Sequence, residues 1–95
     1  MANVANLIFE GSELRWKALS EGRMVVTKVN TNRSFVTVER YKDEEKTTFF
    51  GAITTNEIIL ISSNIEENEV WRGIAISNNQ IIGDVEGRCS FSINK

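Results

Sequence analysis

Short hydrophobic runs recur along the chain and are separated, roughly every 8–12 residues, by turn-forming residues. Within several runs, hydrophobic and polar positions alternate, which places the two kinds of side chain on opposite faces of a β-strand. β-Branched residues dominate 25–29, 35–38 and 58–61, and this favours strands over helices. In the first alternating run, Leu14, Trp16 and Ala18 lie on one face and Arg15 and Lys17 on the other. In the second, Val25, Thr27 and Val29 alternate with Met24, Val26 and Lys28. In the last, Cys89, Phe91 and Ile93 alternate with Ser90 and Ser92.

The spacing predicts one all-β domain over residues 1–95, folded as an antiparallel up-and-down meander that closes, or nearly closes, into a small barrel. Residues 12–21 have an alternative, a short helix with Ser12 as N-cap and Gly22 just beyond its end. The predicted strands are 6–9, 13–19, 23–29, 33–42, 46–54, 57–63, 69–77, 80–85 and 88–93.

A sequence pattern occurs twice in the C-terminal half, once over 49–59 and once over 71–82. Each copy has an aromatic residue, a glycine two positions later, a hydrophobic strand, an Asn-centred turn and an Ile-Ile pair. Two hairpins that obey the same turn rules, or a duplicated unit, explain the pattern. From Phe49 to Ile93 the chain resembles the small bacterial β-meanders related to calycins and lipocalins, which also end on a glycine-rich strand and a Phe-containing strand. The resemblance implies a barrel with a ligand site in its interior or at its open end.

Composition and charge narrow the classes of partner. Hydrophobic residues make up 41% of the chain and charged residues 25%, values typical of a globular domain. The net charge of −2 makes nucleic acid an unlikely partner, because non-specific binding needs a concentrated positive field. We expect no membrane segment and a cytoplasmic location, since no hydrophobic run reaches the ~20 residues of a membrane span and no signal peptide is evident. A chain this short buries limited hydrophobic area, which favours a homodimer.

Several kinds of chemistry are excluded by residue counts. The chain has no histidine and one cysteine, so it has neither an imidazole-activated nucleophile nor a Cys/His zinc site. No phosphate-binding glycine loop is present, and we expect no metal and no cofactor. Asp84 and Glu86 share a strand face with Ile82, and if buried they would suit acid catalysis. We expect the acidic segment 43–45 to be a solvated turn.

The candidate ligand-binding residues are Arg72, Trp71, Trp16 and Tyr41. Arg72 lies between the hydrophobic residues Val70 and Ile74 of its own strand face, so on an inward face it would bind an anion or a carboxylate. Alternatively, Trp71 lies on the inner face and Arg72 is exposed.

The aromatic residues also have two interpretations. They provide a stacking surface for a base or a sugar, or they form the core. The residues concerned are Trp16, Tyr41, Phe49, Phe50 and Trp71. Cys89 alternates with Phe91 and Ile93, which predicts a buried, unreactive thiol.

These observations favour a non-enzymatic binding protein that sequesters a small anionic or aromatic molecule or blocks a protein surface. One alternative is a carboxylate-based enzyme with its site inside the barrel. Another is a structural subunit that associates with itself.

Overall fold

The computed structural model describes residues 2–30, 32, 34–64, 66 and 68–95, and shows eight antiparallel strands in sequential order, closed into a barrel by pairing of the first strand with the last. The closing pairs include Trp16 with Ile93. Closure leaves no free sheet edge among these strands, so the predicted all-β barrel is confirmed. The strands are β1 (Glu13–Lys17), β2 (Glu21–Val29), β3 (Phe35–Lys42), β4 (Glu45–Ile53), β5 (Glu57–Ser62), β6 (Val70–Ser77), β7 (Gln80–Val85) and β8 (Cys89–Asn94).

The predicted strand over 6–9 is wrong. A 3-10 helix occupies Val4–Asn6, with Asn3 as N-cap accepting a hydrogen bond from the backbone N–H of Ala5 at 2.9 Å. Leu7 and Ile8 follow it and are fully buried. The hydrophobic run packs as a plug at one end of the barrel, where the Val4 N–H donates to the carbonyl of Thr55 at 2.8 Å.

The alternative helix over 12–21 is also wrong. This segment contains β1, the β1–β2 turn and the first residue of β2, and in β1 Leu14 and Trp16 point inward while their neighbours are exposed. Pairing on both sides, to β2 and to β8, satisfies the strand backbone and overrides the helix-capping signal.

The period-two pattern predicted the inward residues in most strands. In β2 the predicted hydrophobic face, Val25, Thr27 and Val29, is wrong. The buried residues are Met24 and Val26, Thr27 is exposed, and a bulge between Val26 and Lys28 ends the strict alternation. Predicted strand ends differ from the observed ones by up to two residues in the described part of the chain. The predicted start at Arg33 and the predicted loop residues Thr31 and Glu67 lie outside the described residues.

One buried cluster fills the barrel. The two copies of the repeated pattern contribute equivalent residues, because Phe49 and Trp71 both point inward, with ring centroids 5.6 Å apart. The largest fully buried side chains are Trp71, Phe49, Leu7, Ile8, Met24, Leu60, Ile81, Ile93, Val4, Val26 and Val38.

Glycines allow the sheet to bend where strands approach closely. Gly73 in β6 and Gly83 in β7 are directly paired, and a Cβ on Gly83 would clash with the backbone carbonyl of Arg72. These positions therefore need glycine for space, whereas Gly87 in the β7–β8 turn needs it for conformation, with φ of +74°.

The two ends of the barrel differ. The plug covers the end that carries the β4–β5 and β6–β7 turns, where Asn6 Nδ2 donates to Asn78 Oδ1 at 2.8 Å. The other end carries the β1–β2, β3–β4 and β7–β8 turns and the β5–β6 loop. No helix in the described part of the chain is long and hydrophobic enough to cross a membrane.

Candidate functional site

A buried ion pair lies beneath the end of the barrel opposite the plug. Arg40 Nη1 donates to both carboxylate oxygens of Glu69, at 3.0 and 3.1 Å. The two side chains are 8% and 9% exposed. A buried charge is costly unless it is paired, so each residue constrains the position of the other.

Glu69 also binds the aromatic core. Its Oε1 accepts a hydrogen bond from Trp71 Nε1 at 3.2 Å. Glu69 and Trp71 are two residues apart and on the same side of the chain, so the carboxylate is held between the indole N–H and the guanidinium. The carboxylate is thereby oriented by donors from two separate segments of the chain.

The guanidinium of Arg40 is enclosed by aromatic rings. Its central carbon lies 5.3 Å from the ring centroid of Trp16, 5.1 Å from that of Phe49 and 5.8 Å from that of Trp71. Cations within about 6 Å of a ring centroid are attracted by the negative ring face, more strongly when desolvated. The rings thus stabilise a positive charge that is largely removed from water.

Arg40 keeps one donor without a protein partner. Its Nε is buried, and no acceptor among the described residues lies within hydrogen-bond distance. An unsatisfied buried donor costs about 1–3 kcal/mol.

A cavity of about 140 Å³ opens above the ion pair, and we call it the cup. Trp16, Arg40, Glu69 and Trp71 form part of its wall. The remaining residues come from the turns at this end of the barrel and the strand ends beside them: Ala18, Leu19, Ser20, Lys42, Glu45, Val85, Arg88 and Cys89. Three cationic and two acidic side chains line the cup, which gives it an excess of one positive charge in a protein of net charge −2.

Two of the four predicted site residues meet at the cup. Trp16 and Trp71 pack edge to face with ring centroids 5.8 Å apart. Both are almost fully buried, so they belong to the core and to the cup wall at once. Trp16 Nε1 donates to the backbone carbonyl of Tyr41 at 3.0 Å.

The structure places the other two residues on the outer wall. The Tyr41 ring points away from the cup and lies under the guanidinium of Arg23, 4.1 Å from its central carbon. Arg72 is exposed, with its Nε 3.8 Å from Glu86 Oε2. On β6 the inward residue is Trp71, so the observed arrangement is the alternative in which Arg72 faces solvent.

Other predicted candidates also lie apart from the cup. Asp84 and Glu86 are exposed on the outer wall, and Phe50 is 54% exposed. Cys89 is half-buried rather than fully buried, because it begins β8 at the open end and lines the cup.

Arg40 and Glu69 were missed by the sequence analysis. A signal for Arg40 exists, since Val36, Val38 and Arg40 alternate and the first two are obvious core residues. For Glu69 the signal is its place two residues before Trp71. Arg40 is a charge at an inward position of β3, and Glu69 is a buried charge immediately before β6; an inward charge was considered only for Arg72.

Comparison with known proteins supports the fold alone. No family model and no curated protein matches the chain. A solved structure described as a redesigned beta barrel is similar, with a TM-score of 0.61 and 11% sequence identity, over 100% of this chain and 96% of that one. At 11% identity, the similarity shows a shared barrel architecture and nothing more specific.

Proposed function

We propose that the protein is a non-enzymatic binding protein that takes a small, planar, anionic ligand into the cup. The observation that carries the proposal is the cavity above the buried Arg40–Glu69 pair, which has Trp16 and Trp71 in its wall and the exposed cations Lys42 and Arg88 at its rim. Cavities that combine aromatic surface with fixed polar groups are typical of small-molecule binding, and the cup has both, although charged side chains make up much of its lining. The resemblance to calycin-like meanders implies a ligand site in the barrel interior or at its open end. The cup lies at the open end, so its position agrees with that expectation.

The size and charge of the cup define the ligand class. A cavity of about 150 Å³ accommodates benzene, so the cup, at about 140 Å³, has room for a single aromatic ring. Its charge excess and the exposed cations Lys42 and Arg88 favour a carboxylate at the rim. A monocyclic aromatic carboxylate, with benzoate as the simplest probe, meets both requirements.

Benzoate titration tests the proposal directly. Trp16 and Trp71 are the two tryptophans of the chain and both line the cup, so intrinsic fluorescence reports its occupation. We expect a saturable change with a dissociation constant of about 1 mM or below, close to what so few atoms supply. Acetate lacks the ring and benzyl alcohol lacks the charge, so each is expected to bind more weakly.

Matched variants locate the site. Arg88→Gln and Lys42→Gln each remove a rim cation and are expected to weaken benzoate binding several-fold. Arg72→Gln removes an exposed cation from the outer wall and is expected to leave binding unchanged. The absence of saturable binding, or equal weakening by Arg72→Gln and Arg88→Gln, would overturn the proposal.

A carboxylate-based enzyme has less support. The acids considered for catalysis, Asp84 and Glu86, are exposed on the outer wall and do not line the cup. Glu69, the carboxylate nearest the cup, is already held by Arg40 and Trp71. Binding without turnover is therefore the function we propose.

A further inference from the structure

The outer wall of the barrel carries a hydrophobic surface that the proposed cup does not use. It crosses β4 to β7, and its residues are connected by direct cross-strand pairing, Phe50 with Ile61 and Ile74 with Ile82. These four side chains are each between 40% and 54% exposed. We call this surface the isoleucine face, defined by Phe50, Ile59, Ile61, Ile74 and Ile82.

A groove runs along the isoleucine face. It is lined by Ile59, Ile74 and Ile82 and crosses the Gly73–Gly83 pair. Phe50 projects beside it, one strand away from Ile59 and Ile61. A projection and a groove thus lie next to each other on one surface, which is the arrangement that a two-fold interface requires.

Charges on the isoleucine face are also self-complementary. Arg72 is paired across the sheet with Asp84, and Glu86 lies 3.8 Å from Arg72 on the same wall. All three side chains are exposed, so within one molecule these charges are only weakly coupled. Because Arg72 and Asp84 are cross-strand neighbours, a two-fold axis that passed between them would bring Arg72 of one copy opposite Asp84 of the other.

We infer that the isoleucine face binds a second copy of this chain, with Phe50 of each copy in the groove of the other and Arg72 opposite Asp84 across the two-fold axis. A barrel closed by β1–β8 pairing offers no free strand edge in its sheet, so association occurs face to face rather than by sheet extension.

Sedimentation equilibrium from micromolar to submillimolar concentration tests the inference. The wild-type chain is expected to approach twice the monomer mass of 10.7 kDa. Ile74→Lys is expected to raise the dimer dissociation constant about tenfold or more, since central interface residues dominate binding. The control Leu19→Lys introduces the same charge at a residue 85% exposed in the β1–β2 turn, and is expected to leave association unchanged.

A charge-reversal experiment separates contacts between copies from contacts within one copy. Arg72→Glu and Asp84→Arg are each expected to weaken self-association, because each places like charges opposite one another across the axis. Mixed in equal amounts, the two variants are expected to form a heterodimer, since mixing restores opposite charges only between chains. Circular dichroism confirms that each variant is folded.

Three results would overturn the inference. They are a wild-type monomer at every concentration, an equal effect of Ile74→Lys and Leu19→Lys, and no association when the two charge variants are mixed. Benzoate binding to the cup is independent of each of these results.

Discussion

Arg40 Nη1 lies 3.0 Å from Oε1 and 3.1 Å from Oε2 of Glu69, although the two residues are 29 positions apart in the sequence. Both side chains are more than nine-tenths buried, and aromatic rings surround the guanidinium. The pair therefore fixes β3 against the start of β6 at the open end of the barrel.

The first prediction concerns this pair. Arg40→Met is expected to lower the free energy of unfolding by about 3–5 kcal/mol, because it leaves the Glu69 carboxylate buried without a cation. Adding Glu69→Gln to that variant is expected to recover about 2 kcal/mol, since it removes the unpaired charge and keeps an acceptor for Trp71 Nε1. Urea denaturation gives the free energy of unfolding of the wild type, of Arg40→Met and of the double variant.

An exposed pair serves as the control. Arg72→Met removes a cation 67% exposed beside Glu86 and is expected to change the unfolding free energy by less than about 1 kcal/mol, measured on the monomer at low concentration. If Arg40→Met costs no more than Arg72→Met, or if Glu69→Gln gives no recovery, Arg40 and Glu69 are not energetically coupled.

The second prediction concerns the plug. Leu7 is fully buried, so Leu7→Ala is expected to cost about 2–5 kcal/mol through lost hydrophobic burial and the cavity left behind. Leu19→Ala removes the same atoms at a position 85% exposed and is expected to change stability by less than about 0.5 kcal/mol. Thermal and urea unfolding give the stability of Leu7→Ala and of Leu19→Ala relative to the wild type. Similar losses, or none, would show that residues 4–8 do not close the barrel.

The third prediction separates two reasons for glycine. Gly83→Ala places a Cβ against the backbone carbonyl of Arg72, which cannot move without distorting β6. We expect a loss of about 3 kcal/mol or failure to fold. Gly87→Ala meets no atom within 4 Å but must adopt a φ of +74°, and its expected cost is about 1–2 kcal/mol. A Gly83→Ala protein as stable as Gly87→Ala would contradict the close β6–β7 packing.

The fourth prediction concerns Cys89. The thiol is half-buried and lines the cup, so a small alkylating reagent is expected to label it more slowly in the native state than in denaturant. A bulky reagent is expected to show a larger difference, because the cup is narrow. Mass spectrometry over time gives both rates. Equal native and denatured rates would place Cys89 in open solvent.

Sequence reasoning predicted the fold class because its signal is local. Alternation in 13–19 and 88–93 identified strands, and the same alternation placed Leu14, Trp16 and Phe91 inside the barrel. The segment 6–9 was misassigned because a short hydrophobic run has the same composition in a buried strand and in a plug. Only its position across the end of the barrel, with Val4 bonded to Thr55, distinguishes them.

Alternation also explains where the four predicted site residues lie. Trp16 and Trp71 are inward by alternation, whereas Tyr41 and Arg72 occupy the outward positions of β3 and β6. For Arg72, hydrophobic neighbours on both sides suggested an inner face. In the structure those neighbours, Val70 and Ile74, belong instead to a hydrophobic outer wall.

The sequence alone therefore determined most of the β-strands, the inner face of strands such as β1, and the exclusion of histidine and Cys/His zinc chemistry, because each follows from a residue's type and its nearest neighbours. Only the tertiary structure decided that Arg40 meets Glu69, that the N-terminal segment plugs one end, and that a cup forms at the other. Those features depend on strand register and barrel closure, which bring together residues from segments distant in the chain. No local pattern carries that information, since every strand can satisfy its own alternation without specifying what lies across the barrel.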